Sequence, residues 1–328
     1  MADSSFRKGL IYALTCFAVW GSLPLYWRVL SAIKPMHILA FRILLSLVTV
    51  GIILSVLKDF KWLIVFKDFK KGARQILTGL LLSANWGVYV WAVSKGHTIE
   101  ASLGYYINPL ISVVLGLIFF REKLNFLQWA AFGSACVGVL ILTWFSGKVP
   151  GIALFLAVSF ALYGVLKKTL KLEAMESLGA ETLGAVPVAL ALLLFRLEYT
   201  GQGLPHILPN WQSLSYVTGL GAQVLIPLAF CGVISCIPLF LFAKGARLLP
   251  LSTLGFAQLI SPTIQFLVGF LVFKEYFPFH NFVAYSFVWF GAILYIISLG
   301  KMLQKPEATG PADGAEGAAS ETHGSPPP

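Results

Sequence analysis

Leu103–Glu122 reads LGYYINPLISVVLGLIFFRE, and Leu254–Glu275 reads LGFAQLISPTIQFLVGFLVFKE. Each is an apolar run closed by a basic–acidic pair, and each is long enough to span a bilayer as a helix. In the first, Pro109 precedes Gly116 and then Arg121-Glu122; in the second, Pro262 precedes Gly269 and then Lys274-Glu275. One displacement, 153 residues, relates every member of the set. Unrelated apolar helices share composition but not the spacing of Pro, Gly and Glu, so the two stretches read as copies of one unit.

The correspondence extends outward. Phe126, Gln128, Trp129, Ala131, Phe132 and Gly138 match Phe279, Asn281, Phe282, Ala284, Tyr285 and Gly291 at the same displacement. Leu103-Gly104 echoes Leu254-Gly255 with a two-residue gap, and Trp20-Gly21 echoes Tyr163-Gly164. The rest of the chain fits a membrane setting. Apolar residues make up 58% of it and charged residues only 12%, against about 45–50% and about 25% in a soluble domain; the mean hydropathy is +0.82. Helices are expected at about 9–30, 37–57, 75–94, 100–120, 126–146, 151–167, 178–197, 223–245, 252–273 and 279–300. The eighth is expected to be irregular, because it contains Pro227 and Pro238.

The net charge of +10 comes from Lys and Arg placed between apolar blocks, which argues for a membrane protein and against a nucleic-acid binder. With the N-terminus in the cytoplasm, 17 basic residues fall on the cytoplasmic side and 6 on the other; Arg42, inside a helix, completes the 24. That asymmetry predicts both termini inside and an even number of spans. Arg7 and Lys8 before the first apolar run resemble a signal peptide, but the run is long and Trp20, Tyr26 and Trp27 stand where a cleavage site needs small residues. Ten spans in two copies of five make the second copy enter the membrane from the opposite side. The expected organisation is a first repeat over 1–147, an inverted second repeat over 148–304, and a disordered cytoplasmic tail over 305–328, where Pro, Gly, Ala, Ser and Glu dominate. Inverted repeats are a common transporter device, with solute held near the midplane between them.

The sequence resembles the EamA branch of the drug/metabolite transporter superfamily, most closely its RarD-like permeases. The resemblance covers roughly residues 7–300 and rests on Trp20-Gly21, Arg42, Asn85-Trp86, Trp91-Ala92, the run Glu100–Pro109, Gln128-Trp129, Glu181-Thr182, Pro238, Ser252–Gly255, Gln258, Pro262 and Glu275. It implies ten helices in two five-helix repeats and permease-type transport of small organic solutes; the expected location is the cell (inner) membrane. The tail and the long Glu198–Ser213 connection depart from the pattern.

Candidate solute-contacting residues follow from the proline helices. Pro109 frees the carbonyl of Tyr105, and Pro262 frees that of Gln258. Tyr105, Asn108 and Ser112 share one helical face, and Gln258, Ser261 and Gln265 are their counterparts in the second copy. Lipid penalises such stripes, so they face either a cavity or a neighbouring helix. Asn85 and Tyr89 share a face of the third helix; Asn85 either ties helices together or meets solute. Trp86 and Trp91 are packing or interface residues or a ligand platform, and Trp20 walls a cavity beside Gly21, which lets a backbone or a solute approach. Those cavity walls are expected from helices one, three, four, six, eight and nine.

Two ionisable residues lie inside helices. Arg42 suits a carboxylate or phosphate on the solute; otherwise it snorkels or pairs with Glu181. Glu181 is the one reasonable candidate for proton coupling. Lys167 and Lys168 read as positive-inside residues, and Glu100, Glu122 and Glu275 as helix-boundary residues. Cys16, Cys136, Cys231 and Cys236 read as buried thiols. The five histidines make no metal-ligand pattern, and no phosphate-binding loop is present. No cofactor or metal is therefore expected, and the partners expected are a small-molecule solute and the lipid bilayer. The rival reading is an intramembrane lipid-handling enzyme or a scaffold; the runner-up within transport is an exporter of amino acids or related metabolites.

Overall fold

The computed structural model describes residues 2–95, 97–147, 151–198, 206–209, 219–274 and 278–303. Its long helices are α1 (Ala2–Val29), α2 (Pro35–Val56), α3 (Phe69–Ser94), α4 (Thr98–Phe120), α5 (Phe126–Ser146), α6 (Gly151–Thr169), α7 (Ala174–Leu194), α8 (Ala222–Leu248), α9 (Leu251–Val272) and α10 (Phe279–Leu303). Among the described residues, nine of them are long and apolar enough to cross a membrane. The exception is α3, which is 26 residues long but opens on Lys70, Lys71 and Arg74. Where ten spans were expected, nine therefore meet that standard. The architecture is that of a helical membrane protein with one short strand pair.

Local chemistry sets the helix ends. Pro35 opens α2, where its missing N–H costs nothing. Asn125 caps α5: its side chain accepts from Gln128 N at 3.0 Å, and Gln128 returns the contact to Asn125 N at 2.9 Å. Gly147, at φ 66°, closes the same helix in the left-handed region. Several boundaries differ from expectation: α1 starts at Ala2 rather than at 9, and α3 at Phe69 rather than at 75. The seventh helix ends at Leu194, and Phe195–Glu198 (β1) pairs antiparallel with His206–Pro209 (β2), Phe195 opposite Pro209. Residues 195–197 of the expected helix thus belong to a short antiparallel strand pair, whose ladder satisfies the backbone. The expected irregularity of the eighth helix is also not seen, since α8 runs unbroken through Pro227 and Pro238. Neighbouring α1 contacts both sites: Tyr26 donates to the carbonyl of Pro227, and Cys16 Sγ to that of Pro238 at 3.1 Å. The tail and Glu275 lie outside the described residues.

Of the two proline breaks expected, only that of α9 is seen, with an interruption at Leu259, whereas α4 runs unbroken through Pro109. Helix α9 is α-helical to Gln258, resumes over Ile260–Leu267 and ends in a π turn, Val268–Val272. In the packing, α1 lies on α8 and α9, α2 on α7 and α8, α3 on α6 and α7, α4 on α6 and α9, and α5 on α10. The α5–α10 pair is antiparallel. A Cβ on Gly138 would stand 2.6 Å from Ala284 O, and one on Gly291 would stand 2.7 Å from Ala131 O. Between them, Ser134 Oγ donates to Phe287 O at 2.7 Å.

Candidate functional site

A cavity of about 520 Å³ lies between α1, the start of α2, α3, α4, α6 and α9, within the range of about 300–1,000 Å³ typical of ligand sites. Trp20, Arg42, Asn85, Trp86, Tyr89, Tyr105, Asn108, Gln258, Ser261 and Gln265 all line it. Ten of the eleven side chains expected to meet solute thus surround one space. The remaining one, Ser112, is buried beneath it and joins the two polar stripes: Gln258 Nε2 donates to Ser112 Oγ at 3.3 Å, and Ser112 Oγ donates to Asn108 Oδ1 at 3.3 Å. On the other stripe, Gln265 Nε2 donates to Ser261 Oγ at 3.3 Å. The same amides thus pack across α4 and α9 and border the cavity.

Three expectations need correction. Among the described residues, α8 supplies no wall; α2 takes that place. The reason is that Gly232 lets α8 press onto the backbone of Leu45, behind the cavity. Arg42 neither snorkels nor pairs with Glu181. Its guanidinium carbon lies 3.9 Å from the ring centroid of Trp86 and 4.7 Å from that of Trp27, and its Nε donates to Ser235 Oγ at 3.1 Å. Lys167 is not a surface residue of the positive-inside kind. Its side chain is 1% exposed and its Nζ lies 2.9 Å from Glu181 Oε2, itself on a side chain 2% exposed.

Glu181 sits outside the cavity, at the centre of a buried cluster. Tyr163 donates to Glu181 Oε1 at 3.2 Å, Lys167 donates to Ser177 Oγ at 2.9 Å, and Ser177 donates to Gln75 Oε1 at 3.2 Å. An aromatic layer divides this cluster from the cavity. Phe17, Trp20 and Phe160 form the cavity's inner wall. Behind them stand Tyr163 and Phe242, both fully buried, with ring centroids 5.6 Å (Phe160–Tyr163) and 5.5 Å (Tyr163–Phe242) apart. At the opposite end the walls reach exposed Arg28, Ser31 and Pro35.

Other singled-out residues have structural tasks. Asn85 spends its amide donors on Leu156 O and Ser159 Oγ, both at 2.8 Å, tying α3 to α6. Gly21 admits α9, since an added Cβ would meet Ile264 Cβ at 2.7 Å and Ser261 O at 2.9 Å. Trp91 is 43% exposed and stacks on His97, away from the cavity. Glu122 accepts from Leu251 N at 2.6 Å and Ser252 N at 2.8 Å, capping α9, and Glu100 accepts from Ile152 N at 2.8 Å in the first turn of α6. Sequence reasoning missed Lys167, Trp27, Phe160 and Ser235. A usable signal for Lys167 was its i, i+4 relation to Tyr163 within a helix that reaches Thr169.

Known proteins place this architecture. Residues 7–144 match the model of the EamA-like transporter family. The chain is 40% identical to the "Uncharacterized transporter YojE" of Bacillus subtilis, over 91% of this chain and 96% of that protein. It is 37% identical to "Protein RarD" of Streptomyces exfoliatus, over 89% of both, and 33% identical to "Protein RarD" of Escherichia coli, over 89% and 94%. A crystal structure only 18% identical shares the fold at a TM-score of 0.66, covering 91% of this chain and 99% of that one. With full-length relatives at this identity and the same helical membrane architecture, the chain belongs to the EamA-like transporter family, as a RarD-like membrane transporter of the drug/metabolite superfamily.

Proposed function

We propose that the chain moves a small organic solute by alternating access, with the cavity as the solute site. The observation that carries this reading is the convergence of matched polar stripes: Asn108 from α4 and Gln258 from α9 meet through Ser112 at one cavity. Two inverted repeats, 1–147 and 148–304, would place the site on their interface. The helix pairings support that division. Exchanging each helix with the one five places on converts every pairing described above into itself or into another of the same set. The reciprocal Gly138–Ala284 and Gly291–Ala131 contacts, each residue 153 from its counterpart, support inversion, because the α5–α10 pair is antiparallel.

With both termini in the cytoplasm of a bacterial inner membrane, as the basic residues favour, the cavity mouth at Arg28 and Ser31 faces outward and the aromatic layer is the inner closure. Glu181 and Lys167 then lie on the inner side of that closure, where opening would admit water, and Glu181 is our candidate for proton coupling. Export of amino acids is the weaker reading, since the described cavity lining holds no Asp or Glu to receive an ammonium group. The test is uptake and counterflow in proteoliposomes against a metabolite and drug panel. Asn108→Leu, Gln258→Leu and Gln265→Leu should each lower transport about tenfold, a loss of about 1.4 kcal/mol, while eluting as folded protein. Normal transport by all three would remove the site assignment.

A further inference from the structure

Building on the proposed solute site, we infer that its solute is an organic anion, an amphipathic monocarboxylate whose carboxylate pairs with Arg42 and whose apolar body lies along the aromatic walls. Arg42 is a cation at membrane depth, and such a charge is expensive unless paired. Among the described residues no carboxylate lies within ion-pair reach of it; the nearby buried acid, Glu181, already pairs with Lys167. The contacts Arg42 does make fix its position without neutralising it. Ser235 takes Nε, and the Trp86 and Trp27 rings flank the guanidinium. The two Nη atoms have no hydrogen-bond acceptor among the described residues, and the side chain borders the cavity. A guanidinium held by Nε with its Nη edge open presents two parallel N–H donors, the geometry that matches a carboxylate.

The surroundings narrow the class further. The described lining holds no Asp or Glu, so an organic cation would find no partner and would be repelled by Arg42. A neutral solute would displace water from Arg42 and leave the charge unpaired. One guanidinium at depth matches one negative charge, which favours a monocarboxylate over a phosphate dianion. Phe17, Trp20 and Phe160 supply the apolar contact for the rest of the molecule, and a space of about 520 Å³ suits a drug-sized body.

The test uses the full chain in lipid nanodiscs and three probes with one carbon skeleton: 3-phenylpropionate, 3-phenylpropionamide and 3-phenylpropylamine, which are anionic, neutral and cationic at neutral pH. Calorimetric titration should show the carboxylate binding at least about tenfold tighter than the amide, with the amine weakest. Arg42→Gln should bring carboxylate and amide to within about twofold, and Arg42→Lys should keep the anion preference at reduced size. The proposal is overturned if the amide or amine binds as well as the carboxylate, if none of the three binds, or if the ranking survives Arg42→Gln. If Arg42→Gln does not fold, the wild-type ranking and Arg42→Lys decide the matter. Tightest binding by amide or amine, lost in Asn108→Leu, would sink the anion and keep the cavity as the solute site. Probe binding unaffected by Asn108→Leu would instead count against the site itself.

Discussion

Replacing Lys167 with Met strands a carboxylate in the interior of the helix bundle. In the native protein, Lys167 Nζ and Glu181 Oε2 are 2.9 Å apart with side chains 1% and 2% exposed, so neither charge has water as an alternative partner. After the change, Glu181 keeps only the Tyr163 hydroxyl at 3.2 Å. Removing one member of a buried pair costs about 3–5 kcal/mol, whereas replacing both with apolar groups of similar volume is often neutral. Lys167→Met should therefore lose about 3–5 kcal/mol, a fall in Tm on the order of 10 °C at the roughly 2–4 °C per kcal/mol of large domains. Glu181→Gln should lose somewhat less, because Lys167 retains Ser177 Oγ at 2.9 Å. The double variant should recover most of the loss, so that the coupling energy exceeds the Lys167→Met loss itself, at more than about 3 kcal/mol. The nine tryptophans provide the signal for thermal unfolding in detergent. A double variant no more stable than the worse single, or a Lys167→Met protein with native Tm, would refute the reasoning.

Two further expectations concern the frame around the site. Gly138→Ala and Gly291→Ala should each destabilise by about 1–3 kcal/mol, the usual range for overpacking, because each added methyl meets a backbone carbonyl; Gly133→Ala, with nothing within 4 Å, should instead stabilise by up to about 1 kcal/mol through helix propensity in the same unfolding assay. Markedly unequal losses at the first two would argue against their equivalence in the repeat. Glu122→Ala should cost about 1–2 kcal/mol through loss of the α9 cap, and Glu122→Gln less, since an amide oxygen still accepts from Leu251 N or Ser252 N; equal stability of all three forms would show the cap to be idle.

The 153-residue displacement was readable because Pro, Gly and charged ends are costly in apolar helices, so their spacing is information rather than composition. It located α4 and α9, and with them the polar stripes. The cavity residues were legible for the same reason: Asn, Gln and Tyr at helical spacing in lipid must meet protein or solute. Charge partners were not legible. A pair between Arg42 and Glu181 was one of the alternatives because both are isolated charges in apolar text, yet the packing of α2 against α8 gives Arg42 to Ser235 and two indoles. The packing of α6 against α7 gives Glu181 to Lys167. The hairpin of β1 and β2 was also hidden, since Phe195–Glu198 continues an apolar run and its strand character depends on pairing with His206–Pro209.

Sequence alone determined a polytopic membrane chain with internally matched polar stripes, because hydropathy and the spacing of rare residues are properties of the chain itself. Only the tertiary structure decided which stripes share a cavity, that α2 rather than α8 walls it, and that an aromatic layer separates Arg42 from the Lys167–Glu181 pair. Those outcomes depend on which glycine lets which helix approach, and a close approach is a relation between distant segments that no local pattern encodes.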